Sequence, residues 1–192
     1  MLRLLSLVAL ATALPLSPAF AHTGVGQTTG FFFGFTHPIG GVDHVLAMVA
    51  VGLFAALLGG RALWLVPAAF VTMMAVGGAL GLASVNVPFV ELGIGLSVVA
   101  LGAAVALQVN MPLSAAMGFV GLFAIFHGHA HGSEMPETLS GLTYATGFVT
   151  ATALLHFVGV GLGLTMGRLA RVSQAAGGLI ALTGIGIVAG LV

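Results

Sequence analysis

The chain has 192 residues, of which 59% are hydrophobic and 4% are charged, and its mean hydropathy is +1.23. A soluble domain could not cover its surface with so few polar groups, so the composition predicts an integral membrane protein, whose long apolar stretches favour helices over barrel strands. Four arginines balance four acidic residues and no cysteine is present, which excludes a basic surface for nucleic acid, a disulfide framework and a thiolate metal site.

Residues 1–21 have the pattern of a cleavable secretory signal peptide. Arg3 precedes an apolar run, and a small-x-small sequence ends at Ala21. The apolar run of about thirteen residues is short for a membrane span, which favours cleavage over the alternative of an uncleaved first helix. Cleavage after Ala21 would make His22 the N-terminal residue, outside the cytoplasm, and would leave 22–192 as a single transmembrane domain.

Turn-forming residues divide the rest of the chain into six apolar segments with short connections. The predicted fold is therefore an all-α polytopic membrane protein, a bundle of six transmembrane helices. The predicted spans are approximately 28–58, 62–83, 89–107, 113–131, 141–166 and 174–192.

The arginines predict how this bundle lies in the membrane. Arg61 falls in the first connection, and Arg168 and Arg171 fall in the fifth. Cytoplasmic connections carry most of the positive charge of a membrane protein, so these connections are predicted to be cytoplasmic. The signal peptide gives the same orientation, with the mature N-terminus in the periplasm and the protein in the bacterial cytoplasmic membrane.

The first segment contains the motif HPIGGVDH at 37–44 and is too long for one straight span of about twenty residues. Pro38 disfavours a helical conformation at His37 and suits a first helical turn. We therefore predict a short outer helix over 31–35, a break at His37–Gly41 and the membrane-crossing helix from Asp43. A regular helix would separate His37 from His44 by about 10.5 Å along its axis, so either the break brings them together or they bind an ion in succession.

The fourth segment ends in the motif FHGHAHGSE at 126–134. On a helix, His127, His131 and Glu134 share one face, whereas His129 points about 200° away from His127 and needs another partner. Two histidines four residues apart can bind one metal ion. A helix that ended at Gly132 would hold Glu134 less firmly.

The two motifs together predict a metal site on the outer side of the membrane. Ionisable groups inside a membrane are costly and usually functional, although histidines that merely cap helices at the lipid interface are the alternative. Imidazole and carboxylate ligands without thiolate suit Ni²⁺, Co²⁺, Zn²⁺ or Cu²⁺. The predicted ligands are His37, Asp43, His44, His127, His131 and Glu134.

Further polar residues are secondary candidates for metal binding. Each also has an alternative interpretation. Glu91 lies in a first helical turn, where a glutamate interacts favourably with the helix dipole, and Met48, one turn from His44, could simply pack in the core. A buried His156 could pack or relay protons, and an N-terminal His22 could chelate through its amine and imidazole or remain solvated. These candidates are His129, Glu91, His156, Met48 and His22.

The two motifs resemble the signatures of the HupE/UreJ family of nickel permeases. The resemblance includes Ala47-Met48 and Val51-Gly52 after the first motif, and it covers essentially the whole chain. It implies a secondary permease for nickel, sometimes cobalt, that supplies hydrogenase or urease maturation, and it implies that the six predicted ligands are the family's metal-binding residues.

Combined with this resemblance, the sequence predicts a transporter and not an enzyme. No GxxxxGK[ST] motif occurs, so nucleotide hydrolysis within the chain cannot drive uptake. Ni²⁺, with Co²⁺ as an alternative, is the predicted transported substrate, with no organic cofactor. Candidate partners are membrane lipid, a second copy of the chain in a homo-oligomer, and maturation proteins of hydrogenase or urease. The rival functions are an intramembrane zinc-dependent hydrolase with a His/Asp site and a metal sensor or buffer.

Overall fold

The computed structural model describes residues 30–135, 141–166 and 170–192, and these fold into seven helices without a strand. The predicted signal peptide, His22 and Arg168 lie outside the described residues. The helices are α1 Gly30–Gly40, α2 Val42–Leu58, α3 Ala62–Leu82, α4 Val90–Ala106, α5 Leu113–Ser133, α6 Gly141–Met166 and α7 Ala170–Val188.

The described helices confirm an all-α membrane protein but do not support a count of exactly six spans. α3, α5, α6 and α7 are each long and apolar enough to cross a membrane, and the bent pair α1 and α2 makes a fifth if it counts as one span. α4 is apolar but has 17 residues, or about 26 Å at the α-helical rise per residue. It is therefore short for a hydrocarbon core of about 30 Å.

The first apolar segment is broken at a single residue. α1 ends at Gly40, Gly41 is extended with φ −100° and ψ 123°, and α2 starts at an angle of 84° to α1. The break lies within the predicted range His37–Gly41, but the prediction that the outer helix ends by residue 35 is wrong because α1 includes Pro38. Pro38 lies in the last turn, where its missing N–H removes only one bond of the helix.

α2 is the central helix, in contact with α1, α3, α4, α6 and α7, and nearly all of its residues from Ala47 to Ala55 are buried. Glycine allows two of the closest pairings. A Cβ at Gly77 would overlap the Ile125 carbonyl across α3 and α5, and a Cβ at Gly159 would overlap the Val49 carbonyl across α6 and α2. In lipid, such small residues let backbones approach closely enough for dispersion forces to hold helices together.

The outward faces of the long helices carry large apolar side chains. Trp64 on α3, Phe157 on α6 and Leu182 on α7 are all exposed. A soluble protein would bury such residues, whereas hydrocarbon solvates them well. These faces are therefore suited to contact with lipid.

Replacing Gly77 with alanine is predicted to lower the unfolding temperature of the protein in detergent micelles. The added methyl group would overlap the Ile125 carbonyl, and overpacking of this kind costs about 1–3 kcal/mol. Gly78→Ala is the matched control, because its Cβ would lie 3.6 Å from the nearest atom, the Gly128 carbonyl oxygen. Equal unfolding temperatures for the two variants would contradict the close approach of α3 and α5.

Candidate metal site

Four histidines from the two sequence motifs meet at one end of the bundle. The ring centroid of His131 lies 4.2 Å from that of His44 and 4.7 Å from that of His37. The ring centroid of His127 lies 4.6 Å from that of His44. These four residues, which we call the histidine cluster, join the end of α1, the start of α2 and the end of α5.

Local helix geometry explains this convergence. His127 and His131 lie one turn apart on α5, and both are buried, with 0% and 5% of their surfaces exposed. The sharp bend at Gly41 lets His37 on α1 and His44 on α2 both approach His131. Both rings contact His131, and the choice between a single shared ion and successive binding by His37 and His44 stays a prediction.

One group of ligands is at the surface of the cluster. His37, His131 and Glu134 each offer a ligand atom, and these atoms lie within 4.8 Å of one another; we call them the His–Glu triad. The Nε2 atom of His37 lies 3.3 Å from Oε2 of Glu134, a residue that is half exposed. This hydrogen bond lowers the pKa of Glu134, so its carboxylate is ionised at neutral pH and can bind a cation.

Glu134 stays on the face of α5 that carries His131. α5 continues to Ser133, and the Glu134 N–H donates to the Ala130 carbonyl at 3.0 Å. The helix therefore does not end at Gly132, and the expected loosening of Glu134 does not occur.

Asp43 orients His44. Its Oδ1 atom accepts hydrogen bonds from the backbone N–H of His44 at 2.8 Å and from Nδ1 at 3.1 Å. With its proton on Nδ1, His44 has a lone pair on Nε2, which is buried and has no hydrogen-bond partner among the described residues. A carboxylate that holds the second nitrogen of a metal-binding histidine is a common arrangement. In this geometry Oδ1 of Asp43 is engaged by His44, and metal binding by Asp43 itself stays a prediction.

Ser97 on α4 performs the corresponding role for His127. The Ser97 hydroxyl donates to the Ile94 carbonyl at 2.6 Å, so its oxygen accepts the hydrogen bond from Nε2 of His127 at 2.7 Å. A neutral imidazole with its proton on Nε2 has a lone pair on Nδ1. That Nδ1 atom is buried and has no partner in the described part of the chain.

Three imidazoles thus offer unpaired nitrogen atoms in one buried place. Beside Nε2 of His44 and Nδ1 of His127, both ring nitrogens of His131 lack a hydrogen-bond partner within the described ranges. We call His44, His127 and His131 the three-histidine group. Buried polar atoms without partners destabilise a protein, and a cation that contacted one or two of these nitrogens would satisfy their lone pairs. Among the described residues, the three whose ligand atoms lie close enough to share one ion are those of the His–Glu triad.

The secondary candidates lie away from this cluster. Nε2 of His129 donates to the Val85 carbonyl at 2.8 Å, which provides the separate partner expected from its helix face. Glu91 is exposed in the first turn of α4, Met48 is buried in the core around α2, and His156 is buried on α6.

Sequence reasoning missed Ser97. It is a lone hydroxyl within the apolar helix α4, 30 residues from the histidine that it supports. Serine is common in membrane helices as a packing residue, and no spacing rule connects it to the motif on α5. The sequence therefore contains no signal that would have identified this contact.

These features define a helical membrane protein with a buried, histidine-rich candidate metal site. The family model described as HupE / UreJ protein matches residues 9–187, and the chain belongs to this family. It is 46% identical over 176 residues to Protein HupE of Rhizobium leguminosarum bv. viciae, with 90% of this chain and 92% of that protein covered. No solved structure matches the chain.

Replacing Ser97 with alanine is predicted to weaken Co²⁺ or Ni²⁺ binding about 10- to 100-fold, the usual effect of removing the partner of a metal-binding histidine. Equilibrium titration of the purified protein measures this. Ser133→Ala is the control, because it removes a hydroxyl near the end of α5 that donates locally to the Ala130 carbonyl. The role of Ser97 is excluded if both variants bind the ion equally well.

Proposed function

We propose that this protein is a secondary permease that carries Ni²⁺, with Co²⁺ as the alternative, inward across the bacterial cytoplasmic membrane. The observation that carries the proposal is the three-histidine group, in which buried imidazole nitrogens from two helices lack partners among the described residues. The HupE/UreJ family is associated with nickel and cobalt uptake for hydrogenase and urease. The metalloenzyme that receives the ion here is accordingly one of these two.

The proposed topology has a signal peptide at 1–21 and six spans in the mature chain. The bent pair α1 and α2 forms one span, and α4 forms the sixth, with bilayer thinning or its flanking residues making up its small deficit in length. α2 and α6 both run from the site to the opposite end of the bundle, which brings Arg61 and Arg171 to that end. Positive residues favour the cytoplasm, so the site opens to the periplasm.

The proposed route begins at the His–Glu triad. Glu134 is half exposed and ionised, and it attracts the hydrated cation beside His37. His131 belongs both to this triad and to the three-histidine group. An ion can therefore pass from Glu134 and His37 to His44 and His127 without leaving His131, so it is never stripped of all its ligands at once.

The ligand set supports a transition-metal ion over Mg²⁺ or Ca²⁺. Imidazole nitrogen binds Ni²⁺, Co²⁺ and Zn²⁺ well, whereas Mg²⁺ and Ca²⁺ prefer oxygen ligands. Because the chain lacks a nucleotide-binding motif, transport is downhill or coupled to another ion.

The direct test is uptake of radiolabelled nickel into vesicles that contain only the purified protein. His131→Ala is predicted to reduce uptake at least about tenfold, because both the His–Glu triad and the three-histidine group lose a ligand. His129→Ala is the matched control, two residues away on α5 with its ring turned to Val85. Equal uptake by both variants would refute the site, and metal binding by the wild type without uptake would favour the hydrolase or sensor.

Uptake is predicted to fall as the external pH is lowered from about 8 to about 5, because a protonated imidazole cannot bind a metal ion. Metal binding displaces protons, so acid opposes it. The hydrogen bond from His37 lowers the pKa of Glu134, so this carboxylate stays ionised through the range and does not account for the loss. Glu134→Gln should be slower with the same pH profile. Uptake that rises in acid would contradict the mechanism.

A further inference from the structure

His156 on α6 is a buried polar residue outside the histidine cluster. Only 1% of its surface is exposed, and neither ring nitrogen has a hydrogen-bond partner in the described ranges. A leucine would fill such a position without leaving polar atoms unpaired. An ionisable residue within a membrane helix is therefore expected to act on something that moves through the protein.

Two contacts between α3 and α6 lie at His156 or one turn from it. The ring of Phe70 lies 5.2 Å from that of His156 and 5.7 Å from that of His127, so it contacts both. One turn along each helix, the Thr152 hydroxyl donates to the sulfur of Met74 at 3.8 Å. An imidazole, a hydroxyl and a thioether thus lie within one turn of each other on α3 and α6, and all are buried.

A cavity beside the histidine cluster extends as far as Met74. Its volume is about 170 Å³, it lies between α3, α5 and α6, and its lining includes both His131 and Met74. On the other side, α2 packs directly on α6, because a Cβ at Gly52 would overlap the His156 carbonyl. His156 itself does not line this cavity, so an ion that entered it from the histidine cluster would reach Met74, one turn from the contact between Phe70 and His156.

We propose that His156 is a second, deeper station for the divalent transition-metal ion, with the Met74 thioether and the Thr152 hydroxyl at its approach. This proposal rests on the transport function proposed above. His156 is 15 residues from the start of α6, or about 22 Å along the helix, in a hydrocarbon core of about 30 Å. The Phe70 ring contacts the rings of both His127 and His156, so these two rings lie no more than about 11 Å apart. An ion released from the three-histidine group would otherwise continue inward without a strong ligand.

The chemistry of the station suits the same ions as the histidine cluster. Imidazole and thioether are borderline and soft ligands, and they favour Ni²⁺ or Co²⁺ over Mg²⁺ and Ca²⁺. A station with few protein ligands binds weakly, which a transport path needs because the ion must leave again.

The first experiment uses a cysteine at this position, since the chain contains no cysteine. In His156→Cys, added Co²⁺ is expected to produce a thiolate-to-metal charge-transfer band in the near ultraviolet. Leu154→Cys is the matched control on α6, because its side chain is exposed on the outward face, and no band is expected there. Absence of the band in His156→Cys, in protein that still binds Co²⁺ at the histidine cluster, would overturn the proposal.

The second experiment measures binding and transport in His156→Gln. We expect one Co²⁺ fewer per chain at saturation than in the wild type, unchanged binding at the histidine cluster, and uptake into vesicles reduced at least about tenfold. Reduced uptake with an unchanged number of bound Co²⁺ ions per chain would assign His156 to proton transfer and overturn the metal station. Unchanged uptake would also overturn the metal station. If the wild type took up no metal at all, the transport function would instead be refuted. That conclusion would hold whether or not His156→Cys showed the charge-transfer band.

Discussion

The contact of the His44 ring with the rings of His127 and His131 is the interaction on which the rest of the structure depends. It joins the first of the two motifs to the second across α2 and α5, and all three side chains are buried. Unpaired imidazole nitrogens there are unfavourable for the empty protein. In the proposed function the same atoms would bind a cation that has lost its hydration shell, which would offset this instability.

The hydrogen bonds around the cluster decide which nitrogen of each ring is available. Asp43 holds Nδ1 of His44, and Ser97 accepts from Nε2 of His127, so the two rings present opposite nitrogens to the same space. His131 has no such partner among the described residues and is free to use either nitrogen. A ligand that belongs to both the His–Glu triad and the three-histidine group needs this freedom. His44 and His127, which belong to one group only, need a fixed orientation.

Exposure decreases steadily along the proposed route. Glu134 is half exposed, His37 is partly exposed, the three-histidine group is buried and His156 is buried deeper on α6. A cation therefore exchanges water for protein ligands in steps, each with a smaller cost than a single transfer into hydrocarbon. The close glycine contacts between α3 and α5 and between α2 and α6 bring the helices that carry these residues close together.

The sequence by itself determined the membrane class, the helical fold and the common face of His127, His131 and Glu134 opposite His129, because these follow from composition and from the 3.6-residue turn within one helix. The sequence placed the break of the first apolar segment within His37–Gly41 but did not identify Gly41. The reason is that Pro38, which suggested an earlier end of α1, is tolerated in the last turn of that helix. Only the tertiary structure decided that Ser97 supports His127, that Asp43 orients His44 and that Phe70 contacts both His127 and His156. The Ser97 and Phe70 contacts join different helices, whereas Asp43 and His44 are neighbours in the first turn of α2. Contacts between helices depend on how the helices rotate and slide against one another, which no local spacing in a sequence specifies.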